Sequence, residues 1–148
     1  MTPESPAARP PRRRTPRVPP FYPVPLRSRR DGWSAEIQAR FLALLAVTGS
    51  VSDAAERVGM SRNGAYRLRR RPGAESFAAA WDAALGAPVR KVTVDDEHFL
   101  AFEGLIQPLV FRGRYLGFRQ KPDNSKLLRM IGRLDERVGR STADAGER

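Results

Sequence analysis

"VSDAAERVGMSRNGAYRLRRRPG", residues 51–73, contains two short helical patterns separated by a glycine and closed by Pro-Gly. In the first, Val51, Ala54, Ala55 and Val58 fall on one side at helical spacing; in the second, from Ser61 to about Arg70, Ala65 and Leu68 do so. Counting from Val51, the fifth residue is the small Ala55, where two crossing helices approach closely and a large side chain would hold them apart. The ninth is Gly59, at the turn, where glycine most readily takes a positive φ. Val58, Met60, Ala65 and Leu68 supply apolar contacts among these helices and the one before them. Pro72 stops the second helix.

This spacing resembles that of the DNA-binding helix-turn-helix. With Ala65 and Leu68 inward, 3.6-residue geometry turns Arg62, Asn63, Tyr66, Arg67 and Arg70 outward and leaves Ser61 to cap the helix N-terminus. Arginine pairs bidentately with guanine, asparagine with adenine, and tyrosine reaches a phosphate or a thymine methyl. The candidate base contacts are therefore Ser61, Arg62, Asn63, Tyr66 and Arg67. The candidate phosphate contacts are Arg69, Arg70 and Arg71, joined by Arg12, Arg13 and Arg14 near the N-terminus. Ala55, Val58, Gly59, Ala65 and Leu68 form the motif's scaffold. A three-helix core with a basic exposed face would give the same apolar pattern; the small fifth residue, the turn glycine, the capping serine and the basic balance together favour double-stranded DNA as the partner. Gly64 lowers helix stability by about 1 kcal/mol against alanine. Flexibility, or close approach of the backbone to a phosphate or base, would account for it, and the sequence favours neither.

The flanking segments continue the helical pattern. Trp33 to Gly49 reads as a helix capped by Ser34, with Ile37, Phe41, Leu44 and Leu45 on one face. A further helix from about Ala74 to Leu85 carries Phe77, Ala80, Trp81, Ala84 and Leu85 as a stripe, and a short one is expected from about Asp95 to Glu103. "IQPLVFRGRYLGFRQ", residues 106–120, reads as a β-hairpin with Gly113 in its turn. Asp123 or Asn124 then caps a last helix with Leu127, Leu128, Ile131, Leu134 and Val138 on one face. These residues, with Phe111, Tyr115 and Phe118, are read as completing the core, the alternative being a surface for a partner or a second copy of the chain. Residues 1–32 hold 9 of the 13 prolines and a net charge of +6, a composition expected to stay extended. The expected class is mainly α: a disordered basic arm (1–32), a helix-turn-helix multi-helix core (33–86), a helix, small β-hairpin and C-terminal helix (87–138), and a flexible tail (139–148).

Composition narrows the chemistry. The 148 residues carry a formal charge of +11, with 24 arginines among 27 basic residues, which favours a polyanionic partner. The absence of cysteine excludes disulfides, thiolate catalysis and cysteine-bound zinc. There is no apolar run of about 18 residues and no secretory h-region, so the expectation is a cytoplasmic protein with no membrane partner. His98 stands beside Asp95, Asp96 and Glu97, but acids at a helix start answer the helix dipole, and one histidine does not make a metal site. No phosphate-binding glycine loop appears. No metal, cofactor, catalytic residue or enzymatic activity is expected.

"GSVSDAAERVGMSRNGAYRLRRRPGAESFAAAWDAAL", residues 49–85, is similar to helix-turn-helix DNA-binding proteins of the alphaproteobacterial small-protein type, which in turn resemble phage terminase small subunits and the DNA-binding domains of some transposases. "RGRYLGFRQKPDNSKLLRMIGRLD", residues 112–135, is similar to the hairpin and helix downstream in such proteins. The resemblance covers about residues 33–86 most strongly. It implies either a sequence-specific transcriptional regulator, binding an operator as a homo-oligomer, or a packaging protein that recognises viral DNA, forms a ring and hands the DNA to a large terminase subunit. An RNA-binding basic protein is the alternative that composition allows, without the sheet aromatics that single-stranded RNA readers commonly use.

Overall fold

A computed structural model describes residues 15–26 and 32–145. The chain forms α1 (Ala35–Thr48), α2 (Val51–Arg57), α3 (Arg62–Arg69), α4 (Glu75–Ala84), α5 (Glu97–Phe102), β1 (Ile106–Phe111), β2 (Arg114–Gln120) and α6 (Asn124–Ala145). It is mainly helical, with the hairpin and the C-terminal helix where the sequence places them. The first three helices start alike: the hydroxyls of Ser34, Ser50 and Ser61 accept from the backbone N–H of Ile37, Asp53 and Gly64 at 3.3, 3.3 and 2.9 Å. Gly49 ends α1 at φ 67, with its N–H on the Leu45 carbonyl.

α1 is the axis of the fold. Gln38, Ala39 and the unbroken run Phe41 to Ala46 are buried, so the second half of α1 is enclosed on all sides, while Glu36 and Arg40 of its first half are exposed. α2, α4 and both strands of the hairpin all pack on it, so the single apolar face read from the sequence is too narrow. Phe41 anchors an aromatic cluster, its ring 5.2 Å from Trp33, 5.1 Å from Trp81 and 6.3 Å from Phe77.

The N-terminal segment departs from expectation. Residues 15–26, assigned from composition to a disordered arm, lie along the core as a strap: Val18 and Val24 are buried and Phe21 is fully enclosed. Phe21 exchanges two backbone hydrogen bonds with Ile106, at 2.9 and 3.0 Å, adding a bridge at the edge of β1. Gln38 clamps the strap, since its carboxamide accepts from Val24 N–H at 2.7 Å and donates to the carbonyls of Val24 at 3.1 Å and Trp33 at 3.0 Å. Burial of three apolar side chains and pairing of the strap's backbone supply what a basic, proline-rich composition conceals.

β1 and β2 pair antiparallel, with a one-residue shift between Leu109 and Val110 that leaves Leu116 as the bulged residue. Ile106 joins the same core as α1 to α4, and Tyr115 turns its half-buried ring toward α1, near Glu36 and Arg40. Phe111 and Phe118 are exposed, so these two hairpin aromatics do not complete the core. α6 also differs from its reading in two respects. Its helix continues through Gly139 to Ala145, over positions expected to be a flexible tail; a lone glycine weakens a helix without ending it when no proline follows. Its apolar face is outside the core, with Leu128, Ile131, Leu134 and Val138 exposed, because α6 packs on α5 and then leaves the body of the molecule.

Candidate nucleic-acid interface

α2 and α3 meet as the spacing requires. Ala54 and Ala55 are fully buried against α1 and α3, and the absence of a larger side chain lets the helices approach. Gly59 takes φ 75, and Met60 N–H closes the turn on the Ala55 carbonyl at 2.9 Å. Val58 caps α2 and packs, half-buried, on the core. From the other side Ala65 and Leu68 are buried, which fixes the rotation of α3 about its axis.

That rotation exposes Ser61, Arg62, Asn63, Arg67, Arg70 and Arg71 on one surface. α3 contains no acidic residue, so the surface presents guanidinium and carboxamide donors with no carboxylate interleaved along the helix. Such a set can bind phosphate oxygens and, in a groove, the acceptor edges of bases. Tyr66 departs in part from its assignment. Its half-buried ring rests on Trp81 at 5.2 Å, and the Arg62 guanidinium lies 5.6 Å from its centroid. It therefore supports Arg62 from beneath and is only partly displayed.

Arg69 is placed differently from Arg70 and Arg71. Its guanidinium pairs with Asp82 of α4 at 2.8 Å and lies 5.2 Å from the Trp81 ring. It braces α3 against α4, so its guanidinium is engaged within the fold and not displayed like those of Arg70 and Arg71. Helical phase explains this: position 69 lies one turn on from the buried Ala65, at the margin of the buried side, while 70 returns to the exposed side. Asp82, unread in the sequence, also receives Arg90 at 3.0 Å. Its only sequence signal was an acid at the outer edge of the α4 stripe. Arg12, Arg13 and Arg14 lie outside the described residues.

Trp33, also unassigned from sequence, stands near the first turn of α3. A Cβ built on Gly64 would lie 2.9 Å from the capping Ser61 Oγ and 3.8 Å from Trp33 Nε1. The sequence offered flexibility or ligand approach for Gly64; the packing supplies a third reason, because the space a methyl would need is taken by the helix's own cap.

Among the described residues no group of three His, Cys, Asp or Glu side chains is placed to hold a metal ion. His98 lies against the Phe102 ring at 4.6 Å. A cleft of about 620 Å³ lined by Pro20, Val92, Leu100, Leu105, Arg119 and Lys121, among others, shares no residue with α3. No helix among the described residues is long and apolar enough to cross a membrane. Comparison of the chain with protein families, curated proteins and solved structures finds no match.

Proposed function

We propose that this chain binds double-stranded DNA through its helix-turn-helix, with α3 in the major groove, and acts as a sequence-specific transcriptional regulator. The observation that carries the reading is the division of α3: Ala65 and Leu68 are buried while Arg62, Asn63, Arg67 and Arg70 share an exposed face free of acids. An exposed helix of this kind fits a groove about 12 Å wide, and the N-terminal residues of a recognition helix are the ones that meet base edges. Arg62 and Asn63 occupy those positions. Arg67 lies one turn on, Arg70 and Arg71 approach the flanking phosphates, and the net charge of +11 adds sequence-independent attraction.

Selection of bound sites from a random duplex pool tests this reading. A defined motif is expected. On the selected duplex, Arg62→Ala and Asn63→Ala are each expected to lose about 1–3 kcal/mol of discrimination against random DNA. Equal losses on selected and random duplexes would reassign both residues to the backbone. An unenriched pool, with tight binding to a structured RNA, would replace DNA with RNA as the partner.

A further inference from the structure

We infer that the tip of the β1–β2 hairpin is a second contact with the same duplex, in which Arg112 and Arg114 hold the phosphate backbone beside the start of α2. This rests on the proposed DNA-binding reading and extends it to an element outside the helix pair. The placement comes from packing. Gly113 sits at the tip against Val47, a Cβ there lying 4.0 Å from Val47 Cγ1. Val47 belongs to the last turn of α1. Next to it, Thr48 Oγ1 accepts the Ser50 N–H at 3.2 Å, and Ser50 caps α2 through the Asp53 N–H. The tip thus rests on the last turn of α1, at a residue three positions before the Ser50 cap of α2. In a homeodomain, the three-helix relative of this motif, the connection between the corresponding helices lies along the DNA backbone.

The turn chemistry points the same way. Arg112 has φ 50 and is the one non-glycine with positive φ among the described residues. A two-residue hairpin turn with positive φ at both positions selects Asn-Gly, Asp-Gly or Gly-Gly, and an L side chain other than these is strained there. Turn geometry therefore does not account for an arginine at 112. Arg112 and Arg114 are both exposed, and among the described residues neither forms an ion pair. Arg112 rests its guanidinium 5.1 Å from the centroid of the exposed Phe111 ring, which stiffens the side chain without neutralising it. Two unneutralised guanidinium groups on a tip seated against the last turn of α1 suit phosphodiester oxygens and carry no base-reading geometry.

The test measures the affinity of the full chain for a selected duplex and for a random one across a salt series. For Arg112→Gln with Arg114→Gln, the slope of log K against log[salt] is expected to fall by about 0.9 per arginine. Affinity should drop by the same factor on both duplexes, and the selected motif should be unchanged. Arg112→Gly separates contact from folding: it relieves the positive φ, so thermal stability is expected to hold or rise while the slope still falls by about 0.9. An unchanged slope and affinity in both variants, with Arg62→Ala still losing discrimination, overturns the hairpin contact and leaves the α3 reading intact. Failure of the unmodified protein to bind either duplex overturns both.

Discussion

Gly64 shows how much one position owes to its neighbours. Its N–H is held by Ser61 Oγ at 2.9 Å, and a methyl in its place would press on that same oxygen beside Trp33. Alanine would gain about 1 kcal/mol of helix propensity and would disturb a cap whose loss costs about 1 kcal/mol. Gly64→Ala is therefore expected to leave stability nearly unchanged, whereas in a Ser61→Ala background the same substitution should stabilise by about 1 kcal/mol. A double-mutant cycle by urea denaturation measures this coupling, and equal effects in the two backgrounds would show that the glycine does not protect the cap. At this scale the exposure of Arg62, Asn63 and Arg67 was legible, because two buried residues three apart fix the phase of a helix. The inward role of Arg69 was not, because its partner Asp82 lies on another element.

Elements with a strong period were legible from the chain, and the strap was not. Val18, Phe21 and Val24 recur every third residue, the period of a polyproline II helix and not of an α-helix or strand, and the surrounding prolines and arginines made the segment resemble a solvated arm. Gln38 holds it. Gln38→Met keeps the volume but leaves the Val24 N–H and carbonyl, and the half-buried Trp33 carbonyl, without their partner, at an expected cost of about 2–6 kcal/mol from the two buried Val24 groups alone. Chemical denaturation reads this directly, and a loss below about 0.5 kcal/mol, the range of an ordinary surface substitution, would mean that the strap is not clamped there. α6 shows the opposite failure. Its stripe is amphipathic, but periodicity states which residues share a face and not what that face meets.

Across the molecule the strap also ties the helical core to α5. The Tyr22 hydroxyl donates to Asp96 at 2.8 Å, and the same carboxylate caps α5 through the Phe99 N–H at 3.0 Å. These bonds, the Phe99 N–H first, lower the Asp96 carboxyl below its ordinary 3.8, while burial and then Asp96 raise Tyr22 above its ordinary 10.0. The lowered Asp96 contributes stability that is present above pH 3.8 and lost as pH falls through its folded value; the raised Tyr22 contributes stability present below pH 10 and lost as pH rises. Unfolding midpoints are thus expected to fall at both extremes. Asp96→Asn should flatten the acid side relative to the unmodified protein, and an identical acid profile in the two would remove Asp96 from the account.

The order of helices, the serine caps of α1 to α3, the Gly59 turn, the hairpin and the exposed basic residues of α3 follow from local rules: periodicity, capping hydroxyls, positive-φ glycine and charge. Local rules act over a few residues, and those residues are adjacent in the chain. The packed strap, the enclosure of α1, the Arg69–Asp82 brace, the open face of α6 and the seating of the hairpin tip against Val47 of α1 were set by tertiary structure. Each depends on surfaces that meet only after folding, between segments whose separation along the chain no short-range pattern records.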